Sequence, residues 1–265
     1  MMLALNLRQT WHPCVAMISL IVVCGITARC QDSASGNSNI RAPMPEYIQE
    51  FFLSDAVRCQ EKGELQFTLA TESRNLVGTN ADLQVEYAVT DRLQVAIGVP
   101  YGIVAHRDEG EIVPGWNSFN VGFLYQLIRS DRLFALSAGM AMDLPLRSQG
   151  ELGYEPAILL TRSFHKLQVH ASVISEIERW KQTFAYNVSA VYPIKRGWFP
   201  TFEFNGRRTG SNSFYVTPGL YRHLGHRTEI GIGIPLGVGG IADSRGIVLK
   251  TNWEFGSDNE PERTR

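Results

Sequence analysis

Asp82 to Val99 reads DLQVEYAVTDRLQVAIGV. Leu83, Val85, Tyr87 and Val89 share one side of the first half, and Gln84, Glu86, Ala88 and Thr90 share the other. After Thr90-Asp91-Arg92, Leu93, Val95, Ile97 and Val99 alternate in the same way with Gln94, Ala96, Gly98 and Pro100. Period-two alternation marks a strand with one apolar face, and two such runs around a short polar break mark a hairpin. Asp91 is expected to hold that turn by bonding its own backbone.

Working outward, the unit recurs from Gly63 to Phe255. Twelve strands are expected, at about 63–72, 80–90, 92–104, 116–128, 132–144, 153–164, 166–176, 182–193, 197–207, 213–223, 227–238 and 245–255. Alternation is clearest in the second, third, fourth, seventh, eleventh and twelfth, and weakest in the fifth and sixth. Tight connections such as Ser130-Asp131-Arg132 and His165-Lys166 alternate with longer links near 105–115, 145–152, 177–181, 208–212 and 239–244. Short turns on one side and longer loops on the other are the rhythm of a membrane β-barrel, with the turns toward the periplasm.

Alternation fits two architectures, a soluble barrel with an apolar interior and a membrane barrel with an apolar exterior. Four features favour the second. The strands are about ten residues long, as a tilted spanning strand requires, where soluble strands average five or six. Twelve strands enclose a space too wide for aliphatic side chains to fill. The non-apolar face is rich in Gly, Ala, Pro, Gln and Asn, a poor coat for a soluble protein. Aromatics collect at strand ends, with Tyr101, Trp116 and Trp180 on one side and Tyr125, Tyr192, Trp198 and Trp253 on the other, as two interfacial girdles would. The expected fold is therefore all-β: a twelve-stranded antiparallel transmembrane β-barrel preceded by an N-terminal signal peptide.

Composition agrees. The chain has 265 residues, room for one large all-β domain. Charged residues make up 19%, below the roughly 25% of ordinary soluble proteins. A formal net charge of −1 gives no basic footprint for a nucleic-acid partner.

Residues 1–30 have the pattern of a signal peptide: Arg8 and His12 lead, Val15 to Val23 is apolar, and Gly25 and Ala28 precede cleavage after Ala28 or Cys30. The apolar run is too short to span a bilayer as a helix. Residues 31–62 form a periplasmic linker and lead-in, 63–255 the barrel, and 256–265 a polar C-terminal tail. Within the lead-in, Tyr47 to Val57 (YIQEFFLSDAV) has the spacing of a short amphipathic helix. The favoured reading lays it against the domain, and the alternative places it in the lumen as a small plug. Cys14 and Cys24 leave with the signal. Cys59 is read as an unpaired, packed thiol, with a Cys30–Cys59 disulfide as the alternative.

The runs DLQVEYAVTDRLQVAIGVPY and WNSFNVGFLYQLIRSDRLFALSAGMAMDLP resemble the outer-membrane β-barrel family labelled for a MetA pathway of phenol degradation. The resemblance covers nearly all of 60–255, including the TDRL turn and the VPY strand end. It implies a barrel in the outer membrane of a Gram-negative-type cell, with uptake of small, often hydrophobic compounds. It also implies assembly by the barrel-assembly machinery, which recognises a terminal aromatic. Here Phe255 is followed by the ten-residue tail Gly256–Arg265, a departure from that pattern.

Strand parity nominates Glu64, Glu86, Gln94, Gln126, His170, Glu203, Arg207, Lys250 and Glu254 as pore-lining residues. With Gln66, Glu72, Asn120, Gln168 and Asn205 they make either a mutually satisfied ion network or a polar constriction that selects solutes. His170 is read as a network member rather than a ligand. Walker, dinucleotide and zinc motifs are absent, and no metal site, cofactor or catalytic residue is expected. Asn205-Gly206-Arg207 matches part of the Ser-Asn-Gly-Arg run of lipid-hydrolysing barrels, but the preceding His and the Ser are missing. The function expected is passive passage of small compounds, hydrophobic or aromatic ones among them, through an outer-membrane barrel. Its partners are outer-membrane lipids, the assembly machinery and a solute the sequence does not name. A structural or adhesion barrel with a closed lumen is the alternative, and a lipid-modifying enzyme ranks below it.

Overall fold

The computed structural model describes residues 48, 50–54, 57–75, 78–105, 115–116, 118–128, 134–146, 151–178, 181–194, 197–209, 211–225, 227–238 and 245–256. The expected signal, Trp180, Cys30 and the 257–265 tail lie outside them.

The strands are β1 (Leu65–Arg74), β2 (Gly78–Thr90), β3 (Leu93–Ala105), β4 (Gly115–Trp116), β5 (Ser118–Ile128), β6 (Ala135–Pro145) and β7 (Gly153–Phe164). There follow β8 (Leu167–Glu178), β9 (Lys181–Val191), β10 (Trp198–Thr209), β11 (Ser211–His223), β12 (Thr228–Gly233), β13 (Leu236–Gly237) and β14 (Gly246–Phe255). The segment β4 precedes β5 on one stave, and β13 continues β12 past Pro235, which has no N–H to give the ladder. The result is twelve antiparallel staves. Each stave pairs with its chain neighbours, and β1 closes the ring on β14 over Leu65↔Phe255 to Arg74↔Gly246. Closure leaves no unpaired edge, which a sheet facing hydrocarbon requires.

The apolar face is outside. Ile158 is 60% exposed, and Leu83, Ile97, Phe123, Ile232, Ile247 and Leu249 also lie on the outer wall. Their inward neighbours Gln66, Gln126, Ser137, His170, Glu203 and Asn252 are buried. This arrangement excludes the dry-interior soluble barrel, because a soluble protein does not leave a continuous aliphatic belt on its surface. Tyr101 and Trp116 pack edge to face at 4.7 Å on the outer wall. Trp198 stacks with Arg222 at 4.8 Å near the opposite end.

Two local expectations are corrected. The Thr90-Asp91-Arg92 turn is held by Thr90, whose Oγ1 accepts from the N–H groups of Arg92 at 3.2 Å and Leu93 at 3.0 Å. Asp91 accepts instead from the Lys62 N–H at 3.2 Å. The longer-loop side is also uneven. Glu178 and Lys181 are paired across residues 179–180, and Thr209 with Ser211 across residue 210, because the strands run on past the expected ends.

The lead-in segment has no helix among its described residues. Ile48, Phe51, Phe52 and Val57 are buried against inward-facing residues of the wall. One apolar cluster joins Ile48, Phe51 and Phe52 to Val191, Phe199, Tyr221 and Val248, and a second joins Val57 to Ala135 and Leu159. Residues 48, 50–54 and 57–60 therefore occupy the lumen. Their contacts lie toward the end where the tight turns are. Cys59 is a buried thiol, in no disulfide among the described residues, and donates to the Arg92 and Leu124 carbonyls at 3.3 and 3.5 Å.

Candidate functional site

The lumen has two zones, and both follow from which inward positions are polar. Toward the turn end, the strand parity that makes the outside aliphatic puts Gln66, Thr68, Glu86, Gln94, Ser137, His170, Ser189, Glu203 and Lys250 on the inner wall, and the described residues of the lumen segment thread among them. Lys250 Nζ lies 2.5 Å from Glu50 Oε2 and donates to the Phe51 carbonyl at 2.7 Å. Glu203 accepts from two successive backbone donors, Phe52 N–H at 2.7 Å and Leu53 N–H at 3.0 Å. Glu50 also accepts from Gln66 Nε2 at 3.1 Å and Thr68 Oγ1 at 3.3 Å. Ser54 and Ser189 hydroxyls meet at 3.0 Å, and Ser137 donates to the Val57 carbonyl. Gln60 donates from its backbone to Gln94 at 3.1 Å and from its side chain to Gln66 at 2.6 Å. A chain segment without secondary structure is thus tied to the wall through its own backbone groups, as buried polar backbone demands.

Phe52 sits in a seat made by absent side chains. Its ring stacks on Tyr221 with centroids 4.4 Å apart. A Cβ on Gly219 would fall 2.1 Å from the Phe52 ring, and one on Gly233 would fall 2.8 Å from it. Gly231 similarly admits the Tyr221 ring, which a Cβ would meet at 2.4 Å. The glycines on the inward face of β11 and β12 thus form a flat floor for two rings.

The other zone is the mouth at the longer-loop end. A cavity of about 270 Å³ is lined by Asp143, Glu151, Glu155, Glu176 and Glu178, with Arg207 as its cation. Arg207 pairs with Glu176. Nearby Arg74 pairs with Glu72 at 2.5 Å and lies over the Tyr215 ring at 4.5 Å.

The nine nominated residues fall into three groups. Glu86, Gln94, Gln126, His170, Glu203 and Lys250 are buried in the zone around residues 48–60. His170 packs edge-on against Phe51 at 4.6 Å, with Nε2 3.3 Å from Thr161 Oγ1. Glu64 and Glu254 stand at the turn end, and Arg207 stands at the opposite mouth. Glu64, just before β1, accepts from the Glu61 N–H at 2.9 Å. Partial burial holds its carboxyl above the usual range, opposed in part by that hydrogen bond. The charged members of the inner wall meet the lumen segment. Glu203 pairs with backbone donors of the lumen segment rather than with Arg207, and Lys250 pairs with Glu50 rather than Glu254. The Asn205-Gly206-Arg207 run points Asn205 and Arg207 inward, while Gly206 lies under the Tyr186 ring.

Sequence reading did not nominate Glu50, Tyr221, Asp143, Glu176 or Glu178. Extending the His170 parity along β8 reaches Glu176 and Glu178. No such periodicity marks Glu50. Among the described residues, no group of three or more His, Cys, Asp or Glu is placed to hold a metal ion.

No family model and no curated protein matches the sequence, so nothing beyond the motifs supports the finer MetA label. Solved structures do match in fold. The chain is similar to a KdgM porin at 10% identity and TM-score 0.58, covering 72% of this chain and 99% of that one. It is similar to the COG4313 outer membrane channel from Pseudomonas putida F1 at 9% identity and TM-score 0.62, covering 75% and 98%. A NanC porin aligns at 11% identity and TM-score 0.54, covering 71% and 98%. At such identities the likeness establishes the fold alone, a twelve-stranded antiparallel barrel.

Proposed function

We propose that the chain is a passive channel of a bacterial outer membrane, passing small solutes through a lumen narrowed by its own residues 48–60. The observation that carries this is the inversion of the wall: a closed ring with aliphatic residues outside and Gln66, Gln126, His170, Glu203 and Asn252 inside. Such a wall is stable only with hydrocarbon around it and polar contents within. The fold neighbours, two described as porins and one as an outer membrane channel, support the same reading. In this reading the tight turns face the periplasm, outer-membrane lipids contact the belt, and the barrel-assembly machinery inserts the chain. The motif resemblance to the phenol-degradation barrels extends the solute class to small hydrophobic and aromatic compounds.

The lumen segment also favours a second reading, a barrel closed for good whose exposed loops carry its role. Liposome swelling with a graded series of sugars and aromatic acids separates the two. Swelling that falls with solute size supports the channel. Heat-modifiable, folded protein that passes none of the series supports the closed barrel.

A further inference from the structure

The lumen segment touches every stave of the ring, from Glu50 at β1 and β14 to Val57 at β6 and β7. Among the described residues its backbone makes one bond to itself, from the Phe51 N–H to the Ser54 carbonyl at 3.1 Å. The wall therefore supplies most of what holds it, and widening the lumen at this level means unseating it. Unseating takes Glu50 away from Lys250, whose Nζ it meets at 2.5 Å. Stripping a buried cation of that carboxylate is costly unless the wall offers another. The wall does offer one. Lys250 faces Ala70 across the seam of β1 and β14, and Ala70 faces Asp82 across β1 and β2. The three side chains form one inward row, with a single methyl group between the ammonium and the carboxylate. Adjacent staves stand about 4.8 Å apart, so the row spans about 10 Å, within the combined reach of Lys and Asp side chains. Asp82 already feels the charges of both Lys250 and Glu50. Yet its Oδ1 is buried and has no hydrogen-bond partner among the described residues. A buried carboxylate oxygen without a donor is rare, and it points to a use outside the seated state.

We propose that Lys250 is the pivot of an ion-pair exchange that gates the lumen: it pairs with Glu50 while the segment is seated and with Asp82 when the segment leaves. The inference rests on the channel reading and supplies the regulation of its constriction. Glu203 is the other wall carboxylate that Lys250 acts on. With the segment seated, both Glu203 oxygens are taken by the Phe52 and Leu53 N–H groups, and unseating frees them beside the same cation. The lysine thus keeps a counter-charge in both states, which brings the two states close enough in free energy to exchange. Asp82 makes no hydrogen bond or ion pair to the seated segment among the described residues. Its loss therefore acts on the unseated state, with a sign opposite to that of structural damage.

The experiment is hydrogen–deuterium exchange of the purified full chain in detergent, read by mass spectrometry. The reporters are the Phe52 and Leu53 amides, which exchange when Glu203 releases them. Heat-modifiable gel migration verifies folding of each variant. Asp82→Asn removes the partner of the unseated state, so exchange at these amides slows about five-fold, the weight of one ion pair in a wet lumen. Asp82→Glu keeps the carboxylate and exchanges near the unaltered rate. In K250M the added D82N change has no effect, because the pivot is gone. Ala70→Val serves in place of D82N if that chain does not fold, since it walls the lysine off from Asp82 and slows exchange likewise. Exchange unchanged or faster in folded D82N overturns the switch. Slowing by D82N that persists in K250M also overturns it, by tracing the effect to Glu50 instead. Slowing as expected in a protein that passes no current in planar bilayers removes the channel reading and leaves the switch standing. Current through the unaltered protein with exchange indifferent to Asp82 does the reverse.

Discussion

Lys250 Nζ, on the last strand of the barrel, lies 2.5 Å from Glu50 Oε2 on the segment that precedes the first. Both side chains are buried, with 9% and 6% of their surface exposed. Apart from the wall's own seam between β1 and β14, this contact joins the two ends of the domain across its interior.

Removing one partner of a buried pair leaves the other charged and desolvated, at a cost of about 3 kcal/mol. Lys250→Met is therefore expected to loosen residues 48–60 without dissolving the ring of strands. Trypsin cleavage after Arg58 or Lys62 should accelerate on the order of 100-fold, since cleavage follows the open population. A cleavage rate equal to that of the unaltered protein contradicts the role given to the pair.

The outer belt gives a second expectation. Ile158 is 60% exposed in the middle of β7, so it faces the bilayer core. Ile158→Arg should cost about 2–4 kcal/mol in urea unfolding from lipid vesicles, as an arginine at mid-depth does. No measurable loss would argue that this face meets water.

The mouth at the longer-loop end is lined by Asp143, Glu151, Glu155, Glu176 and Glu178 against one Arg207. A vestibule of that sign concentrates cations. The reversal potential across a potassium chloride gradient should show cation preference, and Asp143→Asn with Glu155→Gln and Glu178→Gln should lower the permeability ratio several-fold. An anion preference in the unaltered protein contradicts this reading.

Much of this architecture is legible in the chain because each strand carries one rule. At Leu83, Val85, Tyr87 and Val89 the solvent outside is hydrocarbon, and alternation reports it without tertiary information. The same rule blurs where a second apolar partner enters. The sixth expected strand reads poorly at Ala157-Ile158-Leu159-Leu160 because Leu159 turns inward onto Val57 of the lumen segment. Val191, Phe199, Tyr221 and Val248 break the polar interior for the same reason, covered by Ile48, Phe51 and Phe52. These inward apolar residues, taken together, are the sequence signal of a filled lumen. The segment itself is not legible as such. Its spacing fits a helix, yet its N–H groups are bonded by Glu203 on a strand about 150 residues later. Asp143 escaped because its partners converge from separate strands at the mouth, a proximity that parity does not encode, and Glu176 because it sits at the very end of the expected strand.

The Ser54 and Ser189 hydroxyls lie 3.0 Å apart, close enough for a cysteine pair to meet disulfide geometry with little movement. Ser54→Cys with Ser189→Cys therefore pins the lumen segment to β9, and single-channel conductance in planar bilayers of this protein, oxidised and then reduced, is the most direct test. Measurable conductance is expected in the unaltered protein, with lower conductance in the oxidised variant and recovery when reductant is added. An unaltered protein that inserts, folds and passes no current, or a variant whose current ignores the disulfide, would contradict a channel narrowed by residues 48–60.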